Sequence, residues 1–412
     1  MTVGSDETKQ RPMPLEGIKV VEYAVFHAGP GAAAILGDLG ADVIKIESGA
    51  GDPERSWTTV GLADMSLSNG ESIFFQISNR NKRGIYLDIE KEKGRKILHR
   101  MIKEADVFLT NLRKSTKAKL GIDYESLRKV NPRIIHANVS GYGPEGPMQD
   151  LGAFDPLGQA CSGLMYVTGD SEPALLHGGV MDQAAAIVAS HAVLTALLAR
   201  ERLGTGQEVH ASLYGAGLWL MYPNLMLANV LSITPKHISS DRYHHSPLRN
   251  LFRCKDKKWI VATHHPDEKY WTTFCRATGQ TALLTDPRFA DSKGRRAYCA
   301  ELVSIFDEIF ATKTREEWLE ILLKEKLLFC PVQDIDEVRT DPQALANDYV
   351  VQFNDRLLGD VKIPGYPVRF SAHRAGTQSF APTLGEHTEL VMRRMGYTDE
   401  EIRELKEEGV IK

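Results

Sequence analysis

The sequence predicts a two-domain α/β protein. Short apolar, strand-like runs alternate with helix-like segments through the first 140 residues or so, which is typical of βαβ units on a mostly parallel sheet. The chain has 412 residues, more than one hydrophobic core usually serves. After about residue 236 the pattern changes to short strands and helices, which indicates a smaller α+β domain.

The elements of the large domain follow one another from residue 18 onwards. Strands are predicted at Ile18–Tyr23, Asp42–Glu47, Arg83–Asp88, Val107–Thr110 and Arg133–Val139. Helices are predicted before Gly40, at Lys91–Ala105 and at Tyr124–Val130. A further apolar helix, Asp182–Arg202, ends at Gly204, and its near-uniform apolarity predicts burial on most sides.

The second half of the chain carries weaker signals. A strand is predicted at Lys258–Ala262 and helices between about Asp267 and Leu323. Strand-like runs return at Val361–Pro364 and Tyr366–Phe370. A terminal helix pair follows, and Thr398–Glu401 has the spacing of a capping box.

Charge and cysteine usage exclude several classes of protein. The net charge is −4 and the basic residues are spread along the chain, so nucleic acid is not expected as a partner. The five cysteines form no CxxC pair and no metal-ligand spacing, which fits a reducing compartment. Because the first fifteen residues lack the apolar core of a signal peptide, we predict a disordered lead-in at 1–14 and a cytoplasmic protein.

One uncharged stretch, Val209–Pro235, is long enough to span a bilayer. Glycine, proline and asparagine interrupt it, and no basic flank orients it. We therefore predict no membrane span here, and interpret the stretch as a buried helix and crossing segment.

Three local patterns could carry chemistry. Gly29–Ala34 has the GxGxxA spacing of a dinucleotide-binding turn, with Glu47 at the end of the next strand, although Pro30 is equally explained as a helix-starting residue. Asp182 follows a Gly-Gly pair and begins the apolar helix, where it could be an N-cap or a nucleophile beside a helix N-terminus. The doublets His244-His245 and His264-His265 would point to opposite faces of a strand, so no metal site is expected.

An ordered set of short runs resembles the class III CoA-transferases, whose members include formyl-CoA, carnitine, aryl-lactate and benzylsuccinate CoA-transferases. Each run is weak alone, but together they cover nearly the whole chain in the family's order. They are Leu15–Glu22, Ala28–Pro30, Leu39–Glu47, Gly51–Pro53, Asn81–Arg83, Ser140–Gly143, Arg200, Thr205–Gln207, Cys330–Val332 and Leu384–Thr388.

The resemblance implies an overall architecture. A Rossmann-like large domain would be built from residues 15–205 and 340–412, with a linker helix and crossing segment at 206–235 and a small domain at 236–339. Two subunits would thread through each other as an interlocked dimer, either as a homodimer or with a paralogue. The turn at Ala28–Pro30 would serve coenzyme A (CoA) instead of a dinucleotide.

The resemblance also implies a mechanism, in which the Asp182 carboxylate moves CoA from an acyl-CoA donor, with succinyl-CoA one candidate, to a free acid through an aspartyl-CoA thioester. CoA is then a substrate carrier, and no cofactor is tightly bound. His27 and Asp155 would position the acyl group. The CoA contacts would fall on His27, Ala28, Leu87, Asp88, Ile89, Glu90, Asn111, Leu112, Arg113, Lys119, Gly152, Ala153, Phe154 and Asp155.

Departures from the family's patterns refine this expectation. Lys119 stands where a relative has Arg, which keeps the charge but loses the bidentate fork. Phe154 stands where the α-methylacyl-CoA racemase branch has a proton-transferring His, so racemisation is disfavoured. No glycine-rich loop of the kind that covers oxalate occurs between residues 236 and 335, which favours a bulkier acceptor acid, such as an aromatic one. A racemase-like enzyme, an NAD(P)-type oxidoreductase and a non-catalytic CoA-binding subunit stay open as alternatives.

Overall fold

The computed structural model describes residues 11–60, 62–168, 172–232, 242–243, 246–355 and 357–412. They form two compact units. The first unit comprises Met1–Met165, Ala174–Thr234 and Asn347–Lys412, and the second comprises Tyr166–Pro173 and Pro235–Ala346. Residues 1–10 of the predicted lead-in and the doublet His244-His245 lie outside the described residues.

The strands of the described chain are short. They are β1 (Lys19–Glu22), β2 (Asp42–Glu47), β3 (Thr59–Val60), β4 (Ala63–Asp64), β5 (Lys82–Tyr86), β6 (Val107–Thr110), β7 (Ile135–Ser140), β8 (Gln207–Ser212), β9 (Leu251–Arg253), β10 (Trp259–Ala262), β11 (Phe329–Val332), β12 (Val350–Asp355) and β13 (Gly359–Pro364).

The helices vary more in length, with α8 the longest of those described. They are α1 (Ala28–Asp38), α2 (Ile73–Asn79), α3 (Glu92–Glu104), α4 (Lys114–Leu120), α5 (Tyr124–Val130), α6 (Asp155–Cys161), α7 (Leu164–Thr168), α8 (Val180–Leu203), α9 (Leu213–Leu220), α10 (Tyr222–Leu231), α11 (Glu268–Ala277), α12 (Ser292–Ala297), α13 (Cys299–Phe310), α14 (Arg315–Lys324), α15 (Ile335–Val338), α16 (Pro342–Ala346), α17 (Thr388–Arg394) and α18 (Asp399–Glu407).

A six-stranded parallel sheet forms the centre of the first unit, with the order β5-β2-β1-β6-β7-β8. This order places β1 between β2 and β6, so the chain changes direction across the sheet at the β1–β6 boundary. In such sheets ligands bind at the carboxyl ends of the strands beside this switch point. The predicted parallel α/β sheet is therefore confirmed.

Alternation along the strands fills two cores, one on each face of the sheet. On β6, Val107 and Leu109 face a core that also contains α1 and α8. Phe108, between them, faces a second core that contains α3 and the C-terminal α17 and α18. The opposite faces follow from the two-residue period of a strand. The sheet is therefore covered by helices on both sides.

The helix pair α1 and α8 packs unusually closely because both helices carry small residues. A Cβ atom added at Gly31 would lie 3.2 Å from the Cβ of Ala186, tighter than ordinary contact. Gly31 of the turn that resembled a dinucleotide site thus serves helix packing, and Gly29 lets the chain lie close to Ala24 and Asn111. Pro30 is the third residue of α1, which begins at Ala28, so its prediction as the first helical residue was wrong by two positions.

The uncharged stretch differs from its prediction. Gln207–Ser212 forms β8 at the edge of the sheet, within the segment predicted as a linker helix. Helix α10 has no buried residue, and Trp219, Val230 and Leu231 are exposed. The prediction of a buried helix holds in part for α9, where Leu213, Ala216 and Gly217 are buried, and is wrong for α10. An uncharged sequence shows that a segment has low polarity but not which surface covers it.

Helix α8 also departs from its predicted burial on most sides. It is the helix of the described chain that is long and apolar enough to cross a membrane, judged by length and composition. Its alanine-rich face lies in the sheet core, whereas Ile187 and Leu198 are more than half exposed. A core helix of this kind passes the same test, so the finding does not indicate a membrane protein.

Two predictions near the C-terminus have opposite outcomes. The capping box at the start of α18 is confirmed, because the Thr398 side chain accepts from the Glu401 amide and the Glu401 side chain accepts from the Thr398 amide. Tyr366–Phe370 forms no strand. Strand β13 pairs antiparallel with β12, a strand that the sequence did not predict.

One part of the predicted lead-in is among the described residues. Arg11 donates a hydrogen bond to the Ser371 carbonyl, so this part is ordered.

The second unit has its own core. The antiparallel sheet β11-β10-β9 packs with α11, α13 and α14 around buried aromatic side chains. His264 is buried there, and its Nδ1 donates to the Leu248 carbonyl while its Nε2 accepts from the Leu328 amide. Both ring nitrogens are therefore committed to the backbone.

Candidate active site

The site is built at the start of α8, where the chain enters the helix through two glycines. Gly178 and Gly179 have φ angles of +96° and +69°, a region that residues with a Cβ rarely adopt. Gly179 is the N-cap, so Asp182 is the third helical residue and not the N-cap that the sequence suggested. The helix therefore begins two residues earlier than predicted, at Val180, and the Asp182 side chain lies in its first turn, beside the helix dipole.

Asp155 supplies the cap that Gly179 lacks. Its Oδ2 accepts hydrogen bonds from the backbone amides of Met181, at 2.5 Å, and Asp182, at 3.1 Å. Its Oδ1 accepts from the Gln159 side chain at 2.5 Å. Asp155 is thus buried with donors on both oxygens, as a buried carboxylate requires.

Gln159 extends this arrangement to the segment before the glycines. Its side-chain nitrogen donates to the Leu176 carbonyl at 2.8 Å, and its oxygen accepts from the Leu176 amide at 3.0 Å. The Gln159 side chain therefore links α6 to the loop that precedes α8. Sequence reasoning missed Gln159, although its position four residues after Asp155 on a helix was a usable signal.

The Asp182 carboxylate differs from its neighbour. It is half-buried, and within the described parts of the chain no group donates a hydrogen bond to its oxygens. Burial raises the pKa of Asp182 to about 7, and the negative charge of Asp155 contributes to that increase. An accessible carboxylate without a donor is free to attack an electrophile.

His27 lies at the N-terminus of α1 and faces the same site. Its Nε2 is 3.0 Å from the Gln183 side-chain oxygen, and its Nδ1 is 2.7 Å from the Ser78 hydroxyl. Burial lowers the pKa of His27, so the ring is neutral near pH 7. Gln183 follows Asp182 directly in α8 and was not predicted.

The predicted site segments near the β1–β6 switch point contact one another. Asn111 donates to the Val25 carbonyl at 2.6 Å and accepts from the Val25 amide at 3.0 Å, so its side chain holds the loop before His27. The Arg113 guanidinium lies over Gly152, 3.0 Å from where a Cβ would stand. The segments 111–113, 152–155 and the start of α1 therefore surround one region.

The other predicted CoA contacts are placed differently. Leu87 and Ile89 are fully buried in the second core, so only their backbone could meet a ligand. The charges of Asp88 and Glu90 act on Tyr23. Tyr23 and Leu112 line a cavity of about 80 Å³ at the carboxyl ends of the strands. Lys119 is exposed on α4.

A larger cavity, of about 920 Å³, lies elsewhere in the chain. It is lined mainly by residues 13–43, 71–83 and 353–382, and none of the predicted site residues lines it.

Aromatic side chains border the site. The ring of Phe26 contacts Phe154 edge-on at 5.3 Å between centroids and Trp57 at 6.2 Å, and Trp57 stacks on Phe74 at 5.6 Å. Phe154 and Trp57 are about half exposed. We call these four residues the aromatic cluster; only Phe154 was predicted.

The dinucleotide alternative does not fit the geometry. Glu47, which would bind ribose hydroxyls in that reading, is buried and forms two hydrogen bonds with Arg55 at 2.7 and 2.8 Å. It also accepts from the Asp52 amide. A carboxylate occupied in this way cannot also bind a ribose, and an NAD(P)-type oxidoreductase is therefore disfavoured.

Fold and site together show an α/β protein with a half-buried carboxylate, Asp182, in the first turn of a helix beside the switch point of a parallel sheet. The sequence profile of CoA-transferase family III matches residues 15–388. The chain therefore belongs to CoA-transferase family III, whose members transfer CoA between acyl-CoA thioesters and carboxylic acids. CoA thioesters are the substrates, and no tightly bound cofactor is required.

Named relatives and a solved structure agree with this assignment. An acyl-CoA transferase of Fusarium pseudograminearum is 35% identical over 405 residues, covering 96% of this chain and 88% of the relative. A cinnamoyl-CoA:phenyllactate CoA-transferase of Clostridium sporogenes is 31% identical over 404 residues, covering 95% and 96%. The crystal structure of a CAIB/BAIF family protein from Brucella suis superimposes with a TM-score of 0.82 at 29% identity, covering 94% of this chain and 100% of that one.

Proposed function

We propose that Asp182 is the nucleophile of this CoA-transferase and that the reaction passes through an aspartyl-CoA thioester. The observation that carries the proposal is the half-buried Asp182 carboxylate without a hydrogen-bond donor at the start of α8. Its neighbour Asp155, by contrast, has donors on both oxygens and is suited to hold the helix in place.

The chemistry proceeds in balanced steps. The Asp182 carboxylate attacks the donor thioester carbonyl and the C–S bond breaks. CoA departs as the thiolate, and Asp182 and the donor acyl group are joined as a mixed anhydride. The thiolate attacks the aspartyl carbonyl and releases the donor acid as its carboxylate. The acceptor carboxylate then attacks the aspartyl thioester, giving a second anhydride and free thiolate. Attack of that thiolate on the acceptor's acyl carbon yields the new acyl-CoA and restores the carboxylate.

We further propose that His27 acts on the acyl oxygen as a hydrogen-bond donor through Nε2. Its neutral ring supports this role, since a donor aimed at a developing oxyanion lowers the barrier. The acyl oxygen would replace the Gln183 side-chain oxygen, 3.0 Å from Nε2, as the acceptor. The CoA moiety would lie along His27, Ala28, residues 87–90, Asn111–Arg113, Lys119 and residues 152–155. For Leu87 and Ile89 that contact would be through the backbone.

The acceptor is proposed to be an aromatic or otherwise bulky carboxylic acid, with succinyl-CoA one candidate donor. The aromatic cluster beside the site offers half-exposed rings that could stack against such an acid. The phenyllactate specificity named for the Clostridium sporogenes relative points in the same direction.

The active form is proposed to be an interlocked dimer in the cytoplasm. Exposed apolar side chains on α8, α9 and α10 support the need for a second subunit, because such a surface is rarely left in water. These side chains are Ile187, Leu198, Trp219, Leu220, Val230 and Leu231. Sedimentation at micromolar concentration tests this: a dimer is expected, and a monomeric active enzyme contradicts it.

Intact mass after incubation with an acyl-CoA tests the nucleophile. We expect a CoA adduct on the parent, removed by hydroxylamine, and no adduct on Asp182→Asn, with a rate at least about a thousandfold lower. Asp150→Asn, at an exposed aspartate of the same unit, is the matched control. Near-parental activity in a folded Asp182→Asn enzyme would refute the role.

A further inference from the structure

The loop that joins β1 to α1, residues 24–27, is bound at every position by a side chain from elsewhere in the fold. The contacts are, in order, Lys45 Nζ with the Ala24 carbonyl at 2.9 Å, Asn111 with the Val25 amide and carbonyl, Asp52 Oδ1 with the Phe26 amide at 3.0 Å, and Ser78 with His27 Nδ1 at 2.7 Å. The loop ends at His27, so its conformation determines where that ring points. The mechanism above uses neither Asp52 nor Lys45.

Phe26 is the residue of this loop that lies in the left-handed region of backbone space, with a φ of +58°. A residue with a Cβ rarely adopts this region, and for a bulky side chain the angle costs free energy that surrounding contacts must offset. Glycine takes the same angle without that cost. The conformation of Phe26 is therefore imposed by its contacts and not by its own preference.

The 3₁₀ turn Pro53–Ser56 contacts Phe26 from both of its ends. At its start, Asp52 is the N-cap, and its Oδ1 accepts from the amides of Glu54 and Phe26, each at 3.0 Å. At its end, the Trp57 ring lies edge-on to the Phe26 ring, with 6.2 Å between centroids. One short segment thus holds both the backbone and the ring of Phe26.

Asp52 is itself held in place by a buried cation. It is 2% exposed, and its Oδ2 accepts from Lys45 Nζ at 2.9 Å. Lys45 is fully buried and also donates to Glu22 at 3.0 Å. Each Asp52 oxygen therefore has its own donors, Lys45 on one side and two backbone amides on the other. A carboxylate is needed to bind both sets at once, because a side-chain amide has a single oxygen.

We propose that Asp52 is a positioning residue that holds Phe26 in its left-handed conformation and thereby orients the His27 ring and the Phe26 ring of the aromatic cluster. The inference rests on the proposed function of His27 as a donor to the acyl oxygen. Without the acceptor for its amide, Phe26 would relax to a negative φ, which would turn His27 from its position beside Gln183. This role uses Gly51–Pro53, one of the runs that resemble the family.

Asp52→Asn tests this role, and Glu22→Gln is its matched control. Both changes remove one negative charge that binds Lys45, but of the two residues it is Asp52 that binds the loop. In Asp52→Asn, the single oxygen should turn to the Lys45 cation, the stronger donor, and leave the Phe26 amide without an acceptor.

The two variants should differ in kcat, measured per folded enzyme. We expect Asp52→Asn to lose about tenfold or more in kcat with KM for acyl-CoA within about threefold of the parent. Glu22→Gln should stay within about threefold of the parent in kcat. Equal losses in the two variants would show that the missing charge beside Lys45 is the cause, and would overturn the proposal.

A double-mutant cycle with Phe26→Gly separates positioning from other effects of Asp52. Because glycine adopts a positive φ without cost, a loop with that change depends less on Asp52. Asp52→Asn should therefore cost less than about threefold in kcat in the Phe26→Gly background, against about tenfold in the parent. Acetate is the acceptor in this assay, so that loss of the Phe26 ring affects both backgrounds alike. Equal costs in the two backgrounds would overturn the proposal.

Two variants of Phe26 test the imposed conformation even if Asp52→Asn does not fold. Phe26→Ala and Phe26→Gly both remove the ring, but only alanine keeps a Cβ at a positive φ. Phe26→Gly should therefore unfold at a higher denaturant concentration than Phe26→Ala. An equal or higher midpoint for Phe26→Ala would show that no unfavourable angle is imposed at this residue, which contradicts the inference.

A crystal structure of Asp52→Asn gives a readout that needs no turnover. We expect a negative φ at residue 26 and loss of the contact between His27 Nε2 and the Gln183 side-chain oxygen, which is 3.0 Å in the parent. An unchanged loop overturns the inference. Full activity of His27→Ala would instead refute the proposed function of His27, and the structural result on Asp52 would then stand separately.

Discussion

The Asp155 carboxylate caps the helix that begins at Asp182, with Oδ2 3.1 Å from the Asp182 backbone amide. Two aspartates therefore share one helix N-terminus in different environments. Asp155 is buried and has donors on both oxygens, while Asp182 is half-buried and has none among the described residues. Both residues are aspartates, so it is their surroundings that distinguish the helix-capping Asp155 from the proposed nucleophile Asp182.

Replacing Asp155 with Asn should lower the pKa of Asp182, because the negative charge of Asp155 contributes to raising it. The acid limb of the rate–pH profile, along which activity rises as Asp182 loses its proton near pH 7, should move to lower pH by about half a unit to one unit. Gln159→Met is the matched control, since it weakens the same clamp without changing its charge. A shift of equal size in both variants would contradict the electrostatic explanation.

Asp182→Asn should stabilise the protein at neutral to alkaline pH. The folded pKa of Asp182, about 7, lies above its ordinary value of 3.8, so folding loses stability as pH rises from about 4 through 7. The neutral amide escapes that loss. Denaturant titrations should therefore show a gain of about 1–3 kcal/mol at pH 8 that shrinks toward pH 4. A gain independent of pH, or one equally present in Asp150→Asn, would count against the assignment.

Lys45→Met should destabilise the first unit strongly. Lys45 is fully buried and bonded to Glu22 at 3.0 Å and Asp52 at 2.9 Å, so its removal leaves buried negative charges without that partner. The expected cost is about 3–5 kcal/mol in the free energy of unfolding. Lys19→Met, which breaks the exposed pair with Glu104, should cost at most about 1 kcal/mol. Similar costs for the two variants would show that burial is not the cause.

Phe154→Ala should weaken binding of aromatic acceptors if the aromatic cluster contacts them. We expect KM for an aryl acid to rise about five- to tenfold, with a smaller change for acetate, because a ring–ring contact is lost only with the aryl acid. Leu203→Ala, at an exposed apolar residue at the far end of α8, is the control. An equal rise in KM for aryl and small acids would place the acceptor elsewhere.

Much of the fold could be predicted because it follows from local patterns. The bounds of β2, β6 and α5 agree with the sequence prediction residue for residue, since apolar alternation and helical period are properties of neighbouring positions. The strand β12 was missed because its half-buried residues mix polar and apolar types without a clear period. The exposed face of α10 was mispredicted because an uncharged segment does not say what covers it.

The candidate site was predicted where a residue carries its own signal or matches a pattern of the family. Asp182, after two glycines and before an apolar helix, stands out in the chain, and His27 and Asp155 follow from the resemblance. Ser78, Gln159 and Gln183 look like ordinary polar residues. Their meaning depends on which groups the fold places within hydrogen-bond distance.

The sequence by itself determined the family, the order of strands and helices, and the aspartate at the start of a long apolar helix, because these depend on residues close together in the chain. Only the tertiary structure decided that Asp155 caps that helix, that Glu47 is occupied by Arg55, and that Ser78 lies behind His27. These contacts, between residues 8 to 51 positions apart, are set by how the sheet and its helices pack, and no local pattern encodes them.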